Sequence, residues 1–209
     1  SALAGSTLAD LGTLATAINN NEFSNASGLT TIAVTDTTID ATTLAARITS
    51  YDAINGLAAT TGMTLASGAT INVDASEITA MLADESAGRL TIDDQAITVN
   101  SAATISVDTA NLLAATTTGV VTASITTSET VDELNTLTGT TGAYTIVIDS
   151  ADATSTTAAE LNTLNGKTTV AVNLTNVSAL AGSNLADLGT LATAINNNEF
   201  SNASGLTTI

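Results

Sequence analysis

The sequence predicts a repeat solenoid, parallel and β-rich in the manner of a β-helix, with a short helix or helical turn in many of its coils. Three observations lead there. Residues 1–32 recur as residues 178–209 with one change, Thr7 becoming Asn184, so the chain repeats itself at a period of 177 residues. Inside that period, a tripeptide of alternating apolar residues closed by Asp or Asn returns again and again. Between most returns lies a short stretch with helical spacing. Alternation at period two marks a strand with one buried face, whereas apolar residues three and four apart mark a helix face. The resulting units of 24 to 38 residues match a solenoid coil. An immunoglobulin-like sandwich would need about 100 residues.

Taken in chain order, the strand candidates are Ile71-Asn72-Val73-Asp74, Ile97-Thr98-Val99-Asn100, Ile105-Ser106-Val107-Asp108, Ile146-Val147-Ile148-Asp149 and Val170-Ala171-Val172-Asn173, preceded by the longer variant Ile32-Ala33-Val34-Thr35-Asp36. The closing Asp or Asn bonds its own backbone and tolerates left-handed dihedrals, so it suits a bend. Asp74, Asn100, Asp108, Asp149 and Asn173 are therefore expected to form a ladder of corner residues. Helix starts are written as capping boxes: Thr130 with Glu133, Thr157 with Glu160, and Asp74 with Glu77. Residues 40–48 and the stretch from Leu185 through Leu188, Leu191 and Ile195 carry Leu and Ala on one face. Gly62, Gly88, Gly119, Gly142, Gly166 and Gly205 lie just ahead of strands, where a left-handed helix end would sit.

Coils then begin near Leu29, Met63, Arg89, Val120, Tyr144, Thr168 and Leu206. Residues 1–209 are expected to be one continuous segment of a longer tandem array, cut at arbitrary points, with no initiator Met or signal segment. Six coils stacked about 4.8 Å apart would advance about 29 Å per period. Small residues fill a narrow core with little room for rings, and the absence of Pro leaves every backbone N–H free for the ladder.

Composition removes several functions. Cys, His, Pro and Trp are absent, Thr accounts for 43 of 209 residues, and the aromatics are Phe23, Phe200, Tyr51 and Tyr144. Without His or Cys, the common triads, zinc sites and thiol chemistry cannot be built from these residues. The net charge of −17, with Arg47, Arg89 and Lys167 as the cations, argues against nucleic acid and anionic membranes. No apolar run approaches the roughly 18 residues of a bilayer span, so no membrane insertion of this segment is expected. Disorder is disfavoured too, since 44% of residues are hydrophobic and patterned. An acidic, Thr-rich, Cys-free array points to an extracellular or cell-surface setting, where divalent cations screen it.

The wording of the units adds a resemblance. Ala159-Glu160-Leu161-Asn162-Thr163-Leu164-Asn165-Gly166, followed by Thr169-Val170-Ala171-Val172-Asn173, resembles the degenerate Thr/Ala-rich repeats of giant cyanobacterial cell-surface proteins of the swimming-associated type. The resemblance implies a secreted, cell-associated or matrix protein and brings no catalytic residues with it.

Narrower expectations concern ligands. Asp93, Asp94, Asp149 and Asp152, with Asp84 and Glu85, are candidates for Ca²⁺, although the GGxGxD spacing of Ca²⁺-binding repeats is absent and a solvated acidic surface is the plainer expectation. No other cofactor is expected. Asn25, Asn173, Asn176 and Asn202 lie in Asn-x-Ser/Thr sequons and are candidate glycan acceptors. The amide-rich segment 19–25, repeated as 196–202, reads first as a helix-ending loop whose Phe plugs the core. The expected function is the structural, non-enzymatic body of an extracellular fibre or surface layer, with copies of itself as partners and surface glycans as a further candidate. An adhesin stalk presenting a distant domain is the alternative. A polysaccharide-active β-helix enzyme ranks below both, because a cleft is needed once and usually carries aromatics.

Overall fold

A computed structural model describes residues 2–23, 31–52, 62–139 and 141–206. The chain divides into two compact units, residues 1–100 with 116–119, and residues 101–115 with 120–209.

The first unit runs β1 (Ala2–Ser6), α1 (Leu8–Asn19), β2 (Thr31–Val34), β3 (Thr38–Asp40), α2 (Ala41–Asp52), β4 (Gly62–Thr64), β5 (Thr70–Val73), α3 (Ile78–Ser86), β6 (Leu90–Thr91) and β7 (Ala96–Val99). Its strands pair in parallel as β1-β2-β4-β6 and as β3-β5-β7. Register puts Ile39, Ile71 and Ile97 side by side, and likewise Ile32, Met63 and Leu90. All six are buried, so each sheet presents a continuous apolar column to the interior. Burying each such side chain is worth about 1.5–3 kcal/mol.

The second unit runs β8 (Thr104–Ile105), α4 (Val107–Thr116), β9 (Val121–Ile125), α5 (Val131–Leu134), β10 (Ala143–Thr145), α6 (Ala158–Asn165), β11 (Val172–Asn173), α7 (Leu185–Asn196) and β12 (Phe200–Ser201), with short 3-10 turns at Ser150–Asp152 and Ala203–Gly205. Strand β9 pairs in parallel with β8 and with β10, and β11 pairs with β12. Leu134, Leu161 and Leu164 bury the inner face of α5 and α6, which pack on one another, as do α6 and α7.

This architecture corrects the expectation of a β-helix-like solenoid. It is a mixed α/β fold, with seven α-helices among the described residues and parallel strands of two to five residues. The alternating tripeptides at 32–34, 71–73 and 97–99 lie in strands, and the helical segments expected between strands are more than single turns. Several are helices of up to 12 residues, sealed at both ends and packed on neighbouring helices. Alternation over three residues cannot separate a strand from a strand that hands over to a helix. Ile105 to Asp108 shows this, since β8 stops at Ile105 and Val107 opens α4. The Ser106 hydroxyl accepts the Thr109 N–H at 3.2 Å, and Asp108 lies in the first helical turn rather than at a corner. Residues 146–149 contribute a single parallel bridge, Val147 to Asn173. Asp74 does not cap α3, which begins four residues later behind Glu77.

The glycines also act differently from expectation. Of the six, Gly88 alone has a positive φ, at 71°. For α1 and α7 the left-handed helix end is an asparagine, Asn21 at φ 60° and Asn198 at φ 61°. Gly119 is required by close approach instead, because a Cβ there would stand 2.4 Å from the Gln95 carbonyl oxygen. Among the described residues no helix is long and apolar enough to cross a membrane.

Candidate functional site

The most developed polar arrangement is an interlock between successive helices, built from their exposed N-termini upward. A helix start leaves backbone N–H groups without intrahelical acceptors and carries a positive end of the helix dipole. Part of the need is met locally. In α5 and α6 the Thr130 and Thr157 hydroxyls accept the Glu133 and Glu160 N–H groups, each at 3.2 Å, while those glutamates accept the threonine N–H at 2.8 and 2.7 Å. The first N–H of the helix, however, is met from a distance. Leu8 N–H donates to Asp36 at 2.7 Å, Val107 to Glu129 at 3.0 Å, Val131 to Asp152 at 2.9 Å, and Ala158 to the Ser183 hydroxyl at 2.9 Å. Every one of these acceptors comes from a later segment of the chain.

A second column runs through asparagines placed four residues after a helix start. The side-chain amides of Asn111, Asn135 and Asn162 donate to the backbone carbonyls of Thr136, Glu160 and Asp187 at 3.2, 3.3 and 3.0 Å, each across 25 residues of sequence. Asn111 also accepts from Thr138 N–H at 2.7 Å, whereas the Asn135 and Asn162 side-chain oxygens are buried without a partner. In α1 the same position is Gly12, and the direction reverses. The guanidinium of Arg47, on α2, lies over Gly12 and donates through Nε to the Leu8 carbonyl at 2.8 Å. A Cβ at Gly12 would stand 2.5 Å from Arg47 Cζ. Beside it the Tyr51 hydroxyl donates to the Leu11 carbonyl at 3.2 Å.

Two corner residues predicted from sequence do meet, since Asn100 donates to Asp74 at 2.9 Å. Asn173 accepts instead from Asn202, which was not among them, at 3.0 Å. Asp149 caps its own 3-10 turn through Ala151 N–H at 2.7 Å. The Ca²⁺ candidates do not converge. Asp152 is engaged with Val131 N–H and the Ser155 hydroxyl. The Asp93 side chain is exposed, and Asp94 accepts from the Ser67 hydroxyl, Gly68 N–H and the Gln95 amide. The Ser67 hydroxyl, followed by Gly68 N–H, holds the Asp94 carboxyl below its ordinary range. Among the described residues no three acidic side chains are grouped to hold a metal ion.

A shallow groove of about 280 Å³ lies against Asp40, Asp74, Glu77 and Asn100. Its acids are already engaged: Asp40 accepts Thr43 N–H at 2.9 Å, and Glu77 accepts Asp74 N–H at 3.0 Å and the Thr42 hydroxyl. The apolar hollow between α2 and α3 measures about 170 Å³, below the roughly 300 Å³ of small-molecule sites. Burial raises the pKa of Tyr144, and also that of Tyr51, where Arg47 opposes the shift. Both hydroxyls therefore stay protonated at neutral pH.

Of the sequons, Asn25 lies outside the described residues. The Asn176 amide donates to the Ile148 carbonyl at 2.8 Å, and the Asn202 amide is tied to Asn173. The segment 19–25 is described only as far as Phe23, which is 55% exposed, whereas its counterpart Phe200 is buried. Sequence reasoning missed the remote caps and the asparagine column. The second had a signal, since Glu-Leu-Asn-Thr-Leu occurs at 133–137 and again at 160–164. Compared with family models, curated proteins and solved structures, the chain matches none.

Proposed function

We propose that this chain is a structural repeat region of a giant extracellular fibre or surface-layer protein that self-associates into filaments or sheets. The observation that carries the reading is the use made of its polar side chains. Caps, asparagines and Arg47 tie a helix to a later helix or to a later segment of the chain at spacings of 21 to 39 residues, rather than converging on a cleft. A catalyst needs one preorganised constellation. A material needs the same contact many times, and the near-identical copies at 1–32 and 178–209 supply a repeated contact unit. The −17 charge keeps such arrays apart until cations screen it.

Electron microscopy of the purified chain, with and without divalent cations, tests the proposal. Ordered filaments or sheets are expected once the charge is screened. Isolated particles at every concentration and ionic condition would overturn self-association and favour the stalk.

A further inference from the structure

The same helix occurs twice in this chain with different faces covered. Helices α1 and α7 share the sequence Leu-Ala-Asp-Leu-Gly-Thr-Leu-Ala-Thr-Ala-Ile-Asn and the same length. In α1, Leu8 is 5% exposed and Leu11 is fully buried, because α2 covers that face. In α7 the equivalent Leu185 is 89% exposed and Leu188 is half-buried. The opposite face behaves the other way, with Leu191 and Ala194 buried against α6 while Leu14 and Ala17 of α1 are half-buried.

The geometry points to the Leu185–Leu188–Gly189 face of α7 as a docking seat for a second copy of this chain's own Thr31–Asp52 segment. The proposal rests on the repeating structural role argued above and names the surface that continues it. Three features of the seat match what that segment already does on α1. Gly12 is open to the Arg47 guanidinium, and Gly189 has no atom within 4 Å of where a Cβ would stand, so the place for an arginine is vacant. The Leu8 N–H at the positive end of α1 takes the Asp36 carboxylate, and Leu185 N–H offers the same helix end with no partner among the described residues. The Leu8 and Leu11 carbonyls accept Arg47 and Tyr51, and Leu185 and Leu188 present the same two carbonyls. Charge and shape therefore fit one occupant. Its carboxylate meets a helix N-terminus, its cation crosses a glycine, and its apolar face covers two leucines.

The test lengthens the full chain past Ile209 by a repeat of its own residues 33–52, which continues the period because Ile209 corresponds to Ile32. Hydrogen exchange of the α7 amides is compared between the lengthened and original chains. Exchange slowed about tenfold or more, the effect of one charge-assisted hydrogen bond, is expected in the lengthened chain. Gly189→Leu, which fills the seat, and Arg47→Ala made only in the added copy should each abolish that protection. Neither should change the helical signal of the rest of the chain. Unchanged α7 exchange on lengthening, or protection that survives both substitutions, would overturn the seat. Protected α7 in a chain that forms no filaments would support the seat and remove the fibre reading, so the two failures are separable.

Discussion

Gly12 and Gly189 occupy the same position in the same helical sequence, yet alanine should act on them with opposite sign. In a helix interior, Gly→Ala gains about 1 kcal/mol from lost unfolded-state freedom and better propensity. At Gly189 nothing lies within 4 Å of the new Cβ, so that gain should appear in full. At Gly12 the Cβ would stand 2.5 Å from Arg47 Cζ and 2.7 Å from both terminal nitrogens. The guanidinium is the end of a flexible side chain and can swing aside, but only by leaving the Leu8 carbonyl that it contacts at 2.8 Å. Losing that charge-assisted bond costs about 1.5–3 kcal/mol. Set against the propensity gain, Gly12→Ala should destabilise by about 0.5–2 kcal/mol.

Because the chain divides into two units, a single unfolding midpoint would mix them. Hydrogen exchange resolved to α1 and to α7 reads each effect where it acts. Gly189→Ala should slow exchange in α7, and Gly12→Ala should speed it in α1. Stabilisation of α1 by Gly12→Ala as large as that of α7 by Gly189→Ala would refute the claim that Arg47 seats on Gly12.

Other substitutions separate the remaining contacts. Thr157→Ala removes one partner of the α6 capping box and should cost about 1 kcal/mol, read as faster exchange of the first-turn amides of α6. Thr7→Asn should change stability by less than about 0.5 kcal/mol, since asparagine caps as well as threonine; hydrogen exchange resolved to the helix that carries the substitution decides it. Leu161→Ala empties a fully buried site and should cost about 2–5 kcal/mol by the same measurement. The Thr130 N–H, then its hydroxyl, holds the Glu133 carboxyl below its ordinary value of 4.5. Its stabilising effect is therefore complete above that pH and lost as pH falls through the depressed value. An NMR titration should show Glu133 moving up toward 4.5 in Thr130→Ala.

Much of the local structure was legible because its signals are short-range. The Thr130 and Thr157 capping boxes, and the apolar columns through Ile71 and Ile97, follow from patterns of two to four residues. The extent of α2 was less legible, since its pattern reads over 40–48 and the helix runs Ala41–Asp52. The end of α1 is an asparagine in the left-handed region, and Asn20 and Asn21 look alike in sequence. Nor could the remote caps be read, because Asp36, Glu129 and Asp152 find their helices only after the chain folds back, and acidic residues are common on this surface. Gly12 carries no signal of its own, because the need for a glycine there comes from Arg47 on another helix. Asp93 and Asp94, by contrast, are Ca²⁺ candidates in the sequence only as two among scattered carboxylates, and hydrogen bonding assigns Asp94 to Ser67 and Gly68.

The one difference between the two copies bears on what the repeated segment is for. Thr7 accepts Asp10 N–H at 3.1 Å and donates its hydroxyl to the Asp10 carboxylate at 2.7 Å. Asn184 accepts Asp187 N–H at 2.9 Å and donates its amide to the Asp187 carboxylate at 2.6 Å. The substitution therefore exchanges two side chains that do the same work, at a position satisfied within its own helix. The neighbour-facing positions are among the unchanged ones, as are positions exposed in both copies, such as Thr13 with Thr190. Leu8 and Leu11 are buried in one copy, and the counterparts of Leu14 and Ala17 are buried in the other. Between them, the two copies bury both flanks of one sequence. Such a sequence carries apolar residues on both flanks, and the flank that α2 covers on α1 is the one left open on α7.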